Sequence, residues 1–167
     1  MEVSAFDAAS YCPASTANQM NLKFADRIAD IIGTRIYKPA DIAACAAARK
    51  RASSLMATGG GLVVIAADHP GRGALGVGGE PFAMADRVDL LARLCIALQR
   101  PGVGGVLGTA DILEELLLLG VLEGKVVIGS MNRGGLAGTV FEMDDRFTGY
   151  DAATIARMGF DGGKTAP

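Results

Sequence analysis

From Leu62 onward, apolar runs alternate with glycine-rich polar breaks. Leu62–Ala67 is a continuous apolar run, β-branched in its centre, which predicts a strand covered on both faces. After a glycine-rich loop, Pro81 opens a helix with Met84, Val88, Leu91, Leu94, Cys95 and Leu98 on its inner side. Gly104–Leu107 predicts a second strand. Ala110–Leu119 predicts a helix with Leu113, Leu116 and Leu117 inward and Gly120 as its stop. Val126–Ile128 reads as a third strand and Asp151–Met158 as a helix. The segment Gly159–Lys164 reads as a fourth strand at its C-terminal end. Upstream, Asn21 caps a helix whose stripe is Leu22, Ala25, Ile28, Ala29 and Ile32, ending at Gly33. Pro39 starts a second, alanine-rich helix that runs to about Thr58, where Gly59-Gly60-Gly61 breaks the chain. The first twenty residues carry little pattern and read as an arm.

The order is β-α-β-α-β-α-β after two leading helices, which predicts an α/β fold with a parallel sheet and right-handed crossovers. Residues 1–58 form the N-terminal arm and helices, and residues 59–167 the β/α domain, a single domain overall. Polar or glycine residues recur just after each strand: Asp68-His69, Gly108-Thr109, Ser130-Asn132-Arg133 and Lys164. In parallel α/β folds that edge is where ligands bind.

Composition narrows the classes. The chain has 167 residues, half of them apolar, and a net charge of −2. Its pI is near 5.4 and its mean hydropathy +0.32. No basic excess asks for nucleic acid or an anionic membrane. The basic cluster Arg49-Lys50-Arg51 reads as a solvated helix end, and Glu114-Glu115 as an exposed helix face. Cys12, Cys45 and Cys95 show no pairing logic, which points to a reducing cytoplasm, and Cys45 and Cys95, in apolar helical stretches, read as inert core thiols. No basic region precedes an apolar one at the N-terminus, so no signal peptide is expected. No apolar stretch reaches the ~18 residues of a membrane span. A single histidine, His69, excludes multi-histidine zinc sites, and neither a metal nor an organic cofactor is implied.

Two nucleotide motifs are decoys. Gly71-Arg72-Gly73-Ala74-Leu75-Gly76 spells G-x-G-x-x-G, but Asp68-His69-Pro70 separates it from the strand. Val77-Gly78-Gly79-Glu80-Pro81 then follows where a helix should open. A loop using glycine for tight turns is the better reading. Gly163-Lys164-Thr165 echoes a phosphate-loop ending, but Met158 stands where the first glycine belongs.

The stretches "VVIAADHPGRGALGVGG", "GVLGTADILEELLLLG", "VVIGSMNRGGLAGTVFEMDDRFTGYDA" and "GFDGGK" resemble the DeoC/LacD-type class I aldolases, nearest an actinobacterial branch linked to sugar or inositol catabolism. The resemblance spans about residues 30–164. It implies an eight-stranded (β/α) TIM barrel whose members make or break a carbon–carbon bond through a Schiff base on a sixth-strand lysine. It makes Asp68 the first-strand acid and Lys164 the fourth-strand lysine that tunes the Schiff-base amine or contacts substrate. It places Asn132 and Arg133 at the same mouth, and makes the substrate a sugar phosphate or related aldehyde.

Other roles stand beside these. Asp68 is an acid/base or a loop cap. His69 is a substrate ligand or orients the loop. Asn132 and Arg133 bind an anion or stabilise a loop, and Lys164 does chemistry or is a solvated lysine. The expected architecture is a partial (β/α)8 barrel of about four units, since a whole barrel takes about 250 residues. The sixth-strand lysine has no counterpart here, so a truncated, inactive aldolase is expected. A non-catalytic half-barrel that forms homo-oligomers or binds a partner is the alternative.

Overall fold

The computed structural model describes residues 26–28, 30–53, 61–132 and 148–165. A leading helix (α1) covers residues 26–28 and 30–37. Next come α2 (Ala40–Ala48), β1 (Val63–Ala67), a 3-10 turn (Pro70–Arg72), α3 (Arg87–Leu98) and β2 (Val103–Gly108). The chain continues through α4 (Ala110–Leu118), β3 (Val126–Ser130), α5 (Ala152–Arg157) and β4 (Gly162–Lys164). The sheet has four strands in the order β1-β2-β3-β4, every neighbouring pair parallel. The α/β class and the parallel sheet are therefore as the alternation predicts.

One face of the sheet carries the core. Leu91 and Cys95 of α3 and Ile112, Leu113 and Leu116 of α4 are fully buried, with Val106 and Val127 beneath them. Burial pushes the Cys95 thiol up to about 11, so it is an inert core group. Glycines let the helices sit close: a Cβ on Gly108 would meet Leu113, and one on Gly129 would come within 2.7 Å of the Tyr150 ring. The opposite face is less covered. Val64, Leu107 and Ile128 are half-buried on it and Ala66 is exposed. On the helix-covered side, Val63 is 53% exposed at the sheet edge. The expectation that β1 is covered on both faces fails for that reason: among the described residues it is an edge strand, and no layer lies over the second face.

Helix ends differ from the sequence reading where side chains intervene. α3 begins at Arg87 rather than Pro81, because the Asp86 carboxylate accepts from the Asp89 amide at 2.9 Å and fixes the cap there. Likewise Asp151 caps α5 through the Thr154 amide at 2.6 Å. α2 stops at Ala48, ten residues short of Thr58, and Arg49 turns extended. Arg49 is buried, not solvated. It donates to the carbonyls of Lys125 at 2.9 Å and Gly159 at 2.8 Å and lies 3.6 Å from Asp161. Arg51 reaches the same carboxylate at 3.0 Å. Arg49 is thus an internal clamp, while Lys50 and Arg51 are exposed as the solvated reading expects. Glu114 and Glu115 also depart from a bare exposed face, pairing with Arg35 at 3.1 Å and Arg87 at 2.7 Å. Among the described residues, no helix is long and apolar enough to cross a membrane.

Candidate functional site

Asp68 follows β1 directly and Lys164 ends β4, so both stand at the C-terminal edge of the sheet. They meet: Lys164 Nζ donates to Asp68 Oδ2 at 2.5 Å. These residues belong to opposite edge strands. Three interstrand steps of about 4.8 Å would set flat edges ~14 Å apart. Side chains stand roughly perpendicular to a sheet. The contact therefore requires the sheet to curl toward this face, and the pair bridges the concave side.

Basic side chains surround the carboxylate. Arg72 Nη2, on the 3-10 turn, is 3.6 Å from Asp68 Oδ2, and His69 Nδ1 is 3.7 Å from Oδ1. Burial pushes the Asp68 carboxyl up. The Lys164 hydrogen bond and the charges of Lys164, Arg72 and His69 outweigh it and hold the carboxyl below its ordinary 3.8. The Asp68 side chain is 2% exposed and that of Lys164 31%. Among the described residues, the buried Oδ1 of Asp68 has no hydrogen-bond partner. A buried carboxylate oxygen left unmet is costly, which marks this position as built for something besides packing.

The turn after Asp68 is shaped by glycine at two points. Gly73 adopts φ +76, the left-handed region that closes the 3-10 turn. Gly71 passes so close to Thr109 that a Cβ would lie 2.6 Å from its methyl. No helix opens within the G-x-G-x-x-G run, which instead leads into a bridge between Val77 and Glu80.

A second feature shares this edge. A cleft of about 490 Å³ is lined by Gly71, Thr109, Asp111, Ser130, Asn132 and Thr148. Asn132 is buried beyond β3, and Ser130 Oγ donates to its carbonyl at 3.4 Å. Burial pushes the Asp111 carboxyl up, but the Thr109 hydroxyl and Arg87 win and hold it low. At Glu114 burial prevails over Arg35 and raises the carboxyl. Of the predicted site residues, then, Asp68, Lys164 and His69 form one cluster and Asn132 lines the adjoining cleft. Arg133 lies outside the described residues. Arg72 was missed, although its place four residues after Asp68 on a tight turn was a usable signal.

Among the described residues, no three His, Cys, Asp or Glu side chains are grouped to hold a metal ion. The cluster's chemistry is that of an amine and a carboxylate placed to exchange a proton beside a pocket at a sheet edge.

Residues 60–166 match the Cgl0159-like family model. The crystal structure of Cgl0159 from Corynebacterium glutamicum, a structural genomics target, superposes with a TM-score of 0.78 at 48% identity. The match covers 84% of this chain and 47% of that one, so the chain spans about half the length of its solved relative. No curated protein shows significant similarity to the chain. These findings overturn the resemblance to DeoC/LacD-type aldolases: the matching family is Cgl0159-like, and no DeoC/LacD family is matched. The motifs behind that resemblance are strand-end glycines, acids and lysines, which any parallel β/α architecture places at its ligand edge.

Proposed function

The chain belongs to the Cgl0159-like family, and from that premise we propose that its sheet is half of an eight-stranded β/α barrel carrying the amine–carboxylate centre of a carbon–carbon lyase. Its substrate is a sugar phosphate or a related aldehyde or ketose. The observation that carries this reading is the Lys164–Asp68 contact at 2.5 Å across the concave edge. The curl this contact demands suits a barrel, and the solved relative is about twice as long.

The chemistry follows from the pair. Lys164 Nζ, once it has lost a proton, attacks the substrate carbonyl, and a C–N bond forms as the carbonyl π pair moves to oxygen. The attacking nitrogen gives up one proton to that oxygen and Asp68 returns the one taken from the amine, so water leaves and an iminium remains. The Asp68 carboxylate then takes the proton of a hydroxyl two carbons away. The carbon–carbon bond breaks, and its electron pair flows into the iminium to give an enamine. Protonation and hydrolysis release the second product. Arg72 and Arg133 supply cations for a phosphate, and Asn132 a polar contact in the adjoining cleft. Four strands wall only half of a mouth, and this span alone is expected to capture a carbonyl without sustained turnover.

Borohydride reduction in the presence of dihydroxyacetone phosphate tests the reading. The expected result is a mass increase on the peptide that contains Lys164, lost in Lys164→Met and weakened in Asp68→Asn. Labelling spread over the chain's lysines and unchanged in Lys164→Met overturns it.

A second reading has its own support. A groove of about 640 Å³ lies beside β1, with Val63, Ile65, Ile96 and Pro101 on its apolar wall and Arg93 and Arg100 also lining it. A non-catalytic half-barrel would use it to pair with a second copy of the chain. Either form fits a reducing cytoplasm, where Cys45 and Cys95 stay as the free thiols they are here.

A further inference from the structure

Resting on the lyase reading above, we infer that His69 is the relay that carries protons between buried Asp68 and solvent. The need arises from burial. Asp68 must take up and give back a proton in each cycle, yet its side chain is only 2% exposed. Its Oδ2 is held by Lys164, and its buried Oδ1 has no hydrogen-bond partner among the described residues.

Among the described residues, three groups face this carboxylate: Lys164 from β4, Arg72 from the 3-10 turn and His69 beside it. Arg72 cannot release a proton under ordinary conditions. Lys164 is bound to substrate carbon once the iminium exists. His69 remains. Its Nδ1 lies 3.7 Å from the unmet Oδ1, and its side chain is 43% exposed. Imidazole is the side chain suited to accept and release protons near neutral pH.

The backbone and the ring of His69 have separate duties. Its carbonyl accepts from the Arg72 and Ala74 amides at 3.0 and 3.1 Å, which anchors the turn. Its ring caps nothing. A half-exposed ring needs a shift of under about 1 Å to bring Nδ1 into hydrogen-bond range of Oδ1. In the relay, the C–H bond of the iminium's neighbouring carbon breaks, its electron pair stays in the enamine, and Asp68 Oδ1 takes the proton. The O–H bond then breaks as Nδ1–H forms, and Nε2 releases a proton to water. That direction is downhill, because imidazole is ordinarily the stronger base.

The test separates proton exchange from carbonyl capture. Hydroxyacetone in D₂O is followed by proton NMR for loss of its α-hydrogens, and borohydride capture of the same ketone is measured in parallel. In His69→Gln the exchange rate is expected to fall about tenfold or more while capture stays within about twofold. Added imidazole restores exchange, which it would not do for a residue that only shapes the loop. His69→Asn serves in the same way if circular dichroism shows the glutamine variant misfolded. Exchange that matches the unsubstituted chain and ignores imidazole overturns the relay and leaves the lyase reading standing. Absence of both capture and exchange in the unsubstituted chain overturns the lyase reading and the relay with it.

Discussion

Asp68 is a carboxylate removed from water and then surrounded by basic side chains, and its titration ties the site to the stability of the fold. Burial raises its carboxyl, while Lys164, Arg72 and His69 lower it by more, so it titrates below its ordinary 3.8. On acidification the unfolded chain therefore binds the proton first. The stabilisation is complete above the ordinary value and drains away as pH falls through the folded value. Urea unfolding between about pH 5 and pH 2 is expected to show a midpoint that drops on acidification. The drop should be shallower in Asp68→Asn, which has no proton to gain there; equal slopes would show that the pair contributes nothing. The sequence made Asp68 and Lys164 visible because each directly follows an apolar or glycine-rich strand signal. It could not show that they touch, since that depends on how far the sheet curls, or that Oδ1 is left unmet. Arg72 was hidden inside a glycine run that invited a nucleotide reading.

Among the elements, α2 shows how one side chain overrides local propensity. Alanine-rich sequence favours continuing the helix past Ala48, yet Arg49 leaves the helical region with φ −60 and ψ 131. The reason is tertiary. Its guanidinium satisfies carbonyls of Lys125 and Gly159 and faces Asp161. Asp161 in turn accepts from the Val127 amide at 2.9 Å. The backbone follows suit, with the Gly124 amide donating to the Lys50 carbonyl at 2.8 Å. One cation therefore ties the end of α2 to the entrances of β3 and β4. Arg49→Met keeps much of the apolar stem but strands Asp161 beside Arg51 alone, and is expected to cost about 3–5 kcal/mol in chemical denaturation. A loss below about 1 kcal/mol would mean that the clamp is a surface pair in energetic terms. Strands were easier to read than helix ends: Leu62–Ala67 was expected and Val63–Ala67 is found. Apolar runs bounded by glycine report strands locally, whereas a helix end set by a partner a hundred residues away leaves no local trace.

For the molecule as a whole, the four parallel strands present two unlike edges, β1 and β4, that point the same way. Exposed strand edges and half-covered apolar faces drive association unless something closes them. Sequence reading reached the parallel sheet but assigned the wrong family, because strand-end motifs report a shared geometry rather than descent. What closes the sheet separates the two functional readings. If a second copy does so, β4 of one chain lies beside β1 of the other, and a helix from the partner fills the groove at Val63, Ile65 and Ile96. Sedimentation equilibrium should then show mass rising from monomer to dimer with concentration. Val63→Arg, which sets a bulky cation into a groove already rimmed by Arg93 and Arg100, should hold the chain as a monomer. If instead closure comes from further β/α units of one longer polypeptide, as the length of the solved relative suggests, this span stays monomeric at every concentration. In that case its exposed edge should bind added chain carrying those units, and the second-copy reading is withdrawn.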